Sequence, residues 1–147
     1  MLAVVAAFAI AAAGTQARCS RPKLEAFINE FKSARDSMLA QPSQSFQRLT
    51  DLDQRLEGCI QAEPDKELRF KLVLFSTGMH AYIGAADAEA GNLRRGKATA
   101  DAALERAKSF VRENRSNEND LRLANELVAQ LDRPLRLIKE AQQKHKR

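Results

Sequence analysis

Turn-forming residues are scarce in this chain. Its 147 residues include only 6 Gly and 4 Pro, so turns are few and the segments between them are long. Tryptophan is absent and tyrosine occurs once. No apolar run approaches the ~20 residues that a membrane-spanning helix needs. Histidine is limited to His80 and His145, and cysteine to Cys19 and Cys59. What is plentiful is Ala, Leu, Arg, Glu and Gln, all good helix formers. At 44% hydrophobic and 29% charged residues, the chain is too apolar to be disordered and long enough for one domain with a real core.

The first segment reads as an address. Residues 2–13, LAVVAAFAIAAA, are apolar and uncharged, and Thr15-Gln16-Ala17 follows as a cleavage site. Lys and Arg are missing before the run, unlike the usual signal peptide. A lipid anchor on Cys19 is disfavoured because Arg18 stands where a small residue is needed. The expected arrangement is a signal peptide over residues 1–17, then a single α-helical domain over 18–147 with a basic, frayed tail from Lys144. The Ala-rich run suits bacterial export, to the periplasm or outside the cell.

Five amphipathic stretches follow. Leu24, Phe27, Ile28, Phe31, Ala34 and Met38 form a stripe over residues 22–39, opened by Ser20 and Pro22. Gln41-Pro42-Ser43 is expected to break it. Phe46, Leu49, Leu52, Leu56, Cys59 and Ile60 share one face of a second helix, completing an antiparallel hairpin. Cys19 and Cys59 then meet at its open end. In an oxidising compartment they are expected to pair, closing a loop of about 40 residues for ~3–4 kcal/mol. The third helix starts at Glu63-Pro64-Asp65 and carries Leu68, Leu72, Phe75, Met79, Tyr82, Ile83, Ala86 and Ala90. Val73 and Leu74 widen that stripe, so this helix is expected to be central. Gly91-Asn92 ends it. A fourth stripe runs Leu93, Gly96, Ala100, Ala103, Leu104, Ala107, Phe110 and Val111, small enough for a tight crossing against Gly84 and Ala86. After Arg115-Ser116-Asn117, a fifth runs Leu121, Ala124, Leu127, Val128, Leu131, Leu135 and Ile138, with a kink or break expected just before Pro134. The fold class is all-α: about five helices packed as antiparallel hairpins, in a helical bundle or a short stack.

Ile83-Gly84, Ala86, Gly91-Asn92, Leu93, Ala103 and Leu104 together resemble a tetratricopeptide repeat, whose first helix has a Leu-Gly pair and whose turn has Gly-Asp. The resemblance covers residues 80–107, with Leu52 to Pro64 similar to the end of a preceding unit. Gly96 and Ala100 depart from the pattern, and the two partial units sit too far apart for a regular array. The resemblance implies a helical-hairpin stack that binds another polypeptide in a groove. The side chains that some relatives use to grip a carboxylate would fall near Ala81 and Ala85, so that version is not implied.

Charge is uneven. Residues 18–90 carry 10 basic and 11 acidic side chains, net −1, and residues 91–147 carry 14 and 8, net +6. Arg94, Arg95 and Lys97 are the densest cluster and a candidate anion site at a helix start. No aromatic interleaves them, so no nucleic-acid partner is expected. Reactive groups are thin. Met79-His80 is too little for copper or haem iron. Ser76, His80 and Asp87 lie on one side of one helix, but interior helix amides offer no oxyanion donors. Asp51 and Asp53 are two apart and point to different faces. No cofactor or metal is expected. The reading that follows is an exported helical interaction or adaptor module without catalysis, binding another exported protein or peptide. The alternative is a periplasmic enzyme or small-ligand carrier with a site near His80 and Tyr82. A third reading is a binder of an anionic polymer or membrane surface through the basic C-terminal half. N-terminal mass analysis of protein from its native host should find the mature chain beginning at or near Arg18; retention of Met1 would refute cleavage.

Overall fold

The computed structural model describes residues 19–146, so the expected signal peptide lies outside the described residues. Six α-helices are found among them: α1 (Arg21–Asp36), α2 (Pro42–Ala62), α3 (Lys66–Glu89), α4 (Leu93–Glu113), α5 (Glu118–Gln130) and α6 (Asp132–His145). None is long and apolar enough to cross a membrane. The chain is all-α, as its periodicity requires.

Local chemistry sets the helix ends. Asp65 caps α3 by accepting from the amides of Glu67 and Leu68, at 2.9 and 3.2 Å. Asn117 caps α5 by accepting from the Asp120 amide. At the end of α3, the Asn92 amide donates to the Asp87 carbonyl and the Gly91 amide to the Ala88 carbonyl. That is a Schellman turn, and Gly91 takes the positive φ (105°) it requires. Two expected ends move. Pro42 does not break a helix; it opens α2, because a first-turn residue has no intrahelical amide bond to lose. The chain reverses instead over residues 37–41. The tail is helical to His145, and Lys144 is tied to the nearly buried carboxylate of Glu89 at 3.3 Å. Pro134 acts as expected: α5 and α6 meet at Leu131 as one kinked helix.

α3 is the hub. It packs on α2, α4, α5 and α6, and meets α1 through Phe31, whose ring lies edge-on to Phe75 and Tyr82, each at 5.5 Å. Buried residues therefore occur all around it, from Leu72 and Met79 to Ala81, Ala85 and Ala88. α1 also packs on α2, and α4 packs on both α5 and α6. The Cys19–Cys59 disulfide joins the start of α1 to the end of α2, with Cα atoms 5.6 Å apart. That is an ordinary separation for a bridge.

The α3–α4 crossing is the tightest contact. A Cβ placed on Gly84 would lie 2.5 Å from the Gly96 carbonyl oxygen and 2.9 Å from the Ala100 nitrogen. One placed on Gly96 would meet the Gly84 carbonyl and the Ala88 nitrogen. Ala88 is thus the small residue of α3 that faces Gly96 at this crossing, and Ala86, Ala88 and Ala100 all belong to the core cluster that contains Tyr82 and Leu72. Backbone atoms cannot step aside as flexible side chains do. Gly84→Ala and Gly96→Ala should each destabilise the fold by about 1–3 kcal/mol. A Cβ on the exposed Gly58 meets nothing within 4 Å. Gly58→Ala should therefore be neutral or stabilising by up to ~1 kcal/mol. Urea unfolding of the three variants checks the contrast.

Candidate functional site: a polar cleft over the central helix

α2 and α4 flank one side of α3. Phe46, Thr50 and Asp53 repeat at helical spacing on α2, and Val73, Ser76, His80, Ile83 and Asp87 occupy the adjoining sector of α3. Phe46, Val73 and Ile83 pack against the core and are only partly buried, so some of their apolar surface is exposed beside these polar groups. At its centre the Asp53 carboxylate accepts two bonds from α3. The Ser76 hydroxyl donates to Oδ1 at 2.8 Å, and His80 Nε2 faces Oδ2 at 2.7 Å. The His80 side chain is 35% exposed and that of Asp53 19%. A carboxylate oxygen accepts, so Nε2 is the donor in this contact.

A second carboxylate anchors the upper end. Asp87, buried at 2% exposure, receives Arg95 Nε at 2.6 Å and Arg95 Nη2 at 2.8 Å, and the Asn92 amide group at 2.9 Å. The hydrogen bonds from Arg95 hold the Asp87 carboxyl below its ordinary pKa, against the opposing effect of burial. The same carboxylate raises Arg95. The Arg95 guanidinium also lies over the Phe46 ring, 5.6 Å from its centroid. One side chain of α4 thus reaches both α3 and α2.

This placement rearranges the residues singled out in sequence. Ser76, His80 and Asp87 do not assemble with one another. His80 turns to Asp53 of the neighbouring helix, Ser76 donates a hydrogen bond to the same carboxylate, and Asp87 belongs to Arg95. His80 and Tyr82 do not share a pocket either: two positions apart on a helix is about 200° of rotation, and Tyr82 faces Phe31 of α1. Within the basic cluster, Arg95 is bound to Asp87 and Lys97 to Asp101 one turn on. Arg94 is exposed. Asp51 and Asp53 part as expected, with Asp51 on Arg55. Asp53 is the residue that sequence reasoning missed as a partner. The signal was the turn at residues 63–65: folding the chain back there brings Asp53 level with Ser76 and His80.

Among the described residues, no three His, Cys, Asp or Glu side chains gather in a way that could hold a metal ion. An open depression of about 510 Å³ lies elsewhere, on the outer face of α5, lined by residues including Leu121, Asn125 and Ala129. No family model matches the chain, and no curated protein or solved structure shows significant similarity to it.

The lowered Asp87 carboxyl gives a pH signature. A depressed folded-state pKa means stability that is fully present above the unfolded carboxyl value, ~3.9, and is lost as pH falls through the lower folded value. Asp87→Ala should cost about 1–3 kcal/mol at neutral pH. Its urea midpoint should approach that of the wild type as the pH falls below ~4. A constant difference down to strong acid would refute the assignment.

Proposed function

We propose that this protein is an exported helical interaction module that docks another exported polypeptide against the α2–α3–α4 cleft and performs no catalysis. The observation that carries the reading is the state of the cleft's polar groups. Asp53, Ser76 and His80 are tied to one another, and Asp87, Asn92 and Arg95 likewise. They hold helices in register, while Phe46, Val73 and Ile83 leave apolar surface beside them. Polar groups fixed by their own partners give a pre-organised rim, which lowers the ordering cost of binding. The disulfide supports export, since such bonds persist in oxidising compartments.

One observation favours the enzymatic alternative. A carboxylate on Nε2 of a half-exposed imidazole is the pairing that orients a general base. Against it, Ser76 donates to the acid of that pair instead of to its imidazole, so no activated nucleophile results. The two readings separate cleanly in one set of variants. A photo-crosslinking side chain at Ile83 should capture a discrete partner in native-host extract, and the same group at the exposed Glu113 should not. Ile83→Arg should weaken that partner at least about tenfold, or ~1.4 kcal/mol. His80→Ala should weaken it by less than that. A turnover activity abolished by His80→Ala in a folded protein would overturn the proposal.

A further inference from the structure

Positive charge is not spread evenly over the folded chain. The α1–α2 reversal at residues 37–41 and the α3–α4 turn at Gly91 lie at one end of the bundle, because the Arg95 guanidinium of α4 stacks on Phe46 of α2, 5.6 Å from the ring centroid. The Lys144–Glu89 pair, at 3.3 Å, brings the last turn of α6 to the same end. The Cys19–Cys59 bridge marks the other end. Within about two helical turns of the first end, residues 30–48, 83–99 and 139–146 carry 9 basic and 5 acidic side chains, net +4. The rest of the described chain carries 13 basic and 14 acidic, net −1. The fold thus gathers at one pole the charge that the sequence places in the C-terminal half, and α1 and α2 add to it.

Much of that charge is uncommitted. Lys32, Arg48, Arg94, Lys139 and Lys146 have no acidic partner among the described residues. Of the acids at this pole, Asp36, Asp87 and Glu89 are each paired with a basic side chain of the same pole, and Glu30 is paired with Arg55. Leu39 stands in the reversal at the same end, 58% exposed, and among the described residues it is the only large hydrophobic side chain left in solvent. Its exposure is built in. The neighbouring Met38 is buried at 2%, the Gln41 amide donates to the Ser37 carbonyl at 2.8 Å, and the Ser37 and Ser45 hydroxyls bond at 3.1 Å. With the reversal locked and Met38 turned inward, Leu39 is left outside.

We propose that this pole seats on an anionic phospholipid bilayer, with Leu39 entering the headgroup layer and the unpaired cations against the lipid phosphates. The two features select the partner together. Cations alone suit any polyanion. An exposed leucine gains nothing from a nucleic acid or a soluble anionic polymer, but loses its contact with water in a bilayer. The seat is peripheral, since no described helix is long and apolar enough to cross a membrane. One leucine anchors weakly, so charge supplies most of the attraction and salt should release it.

The mature protein is sedimented with vesicles of phosphatidylcholine alone and of phosphatidylcholine with an equal part of phosphatidylglycerol. Partitioning is expected on the anionic vesicles and not on the neutral ones. It should collapse between about 0.1 and about 1 M salt, as the screening length falls from about 10 to about 3 Å. Leu39→Ser should weaken it at least about threefold. Arg94→Glu combined with Lys146→Glu should weaken it at least about tenfold. Arg112→Glu combined with Arg115→Glu, the same change in charge at the opposite pole, should weaken it far less. Arg95, which belongs to the cleft, is kept in every variant, and circular dichroism checks that each stays helical. Undiminished partitioning of Leu39→Ser would assign the pole to polyanions in general and overturn the bilayer proposal. Absence of partitioning on anionic vesicles, or equal losses from the two charge reversals, would overturn it as well. None of these outcomes bears on the crosslink at Ile83.

Discussion

The close crossing of α3 and α4 is the constraint on which the rest of the structure depends. Gly84 and Gly96 each sit where any side chain would strike the backbone of the facing helix. Their small size lets the two helices approach along Ala88 and Ala100. With α4 held so close, its first turn comes within reach of α3's last, and Arg95 closes on Asp87. The Schellman turn at Gly91 redirects the chain at the same place. Glycine inside a helix ordinarily costs about 1 kcal/mol relative to alanine. Here that cost is offset by dispersion contacts available only at short range.

A helix wrapped on all sides carries its polar residues into the interior, and each must then find a partner. Ser76 and His80 share Asp53, Asp87 takes Arg95 and Asn92, and the Thr77 hydroxyl folds back to the Val73 carbonyl. Each side-chain pair joins α3 to an element beyond itself, so the polar network specifies which helix lies where, and the apolar core supplies the bulk of the stability. The chemistry of the molecule is therefore divided by faces. One flank of α3 has its polar groups satisfied beside partly exposed apolar side chains. The other buries Tyr82 edge-on against Phe31.

Much of this was written in local sequence. The apolar stripes fixed helix faces because a 3.6-residue period leaves little choice of which side to bury. Asp65, Gly91 and Asn117 marked ends through bonds made within a few residues, and Pro134 placed the kink by lacking an amide. The Cys19–Cys59 bridge was legible because a single hairpin brings both residues to one end. Pro42 was misplaced for an equally local reason, since a proline ends one helix and begins another with the same geometry, and only the surrounding hydrogen bonds say which.

What sequence alone could not supply was the pairing of side chains across helices. Ser76, His80 and Asp87 share a helix side, so local reasoning grouped them, while each found its partner elsewhere: Asp53 lies a hairpin away, and Arg95 lies beyond a turn. Arg94, Arg95 and Lys97 read as one cationic cluster until the fold bound Arg95 to a buried carboxylate and left Arg94 in solvent. His80 and Tyr82 read as one site until the rotation of α3 put them on different flanks. Helix formation, capping and the bridged hairpin are set by interactions between residues near in sequence, and the sequence determined them. Which polar groups meet depends on interhelical distance and rotation, which two glycines and the packing around α3 decide only once the chain has folded.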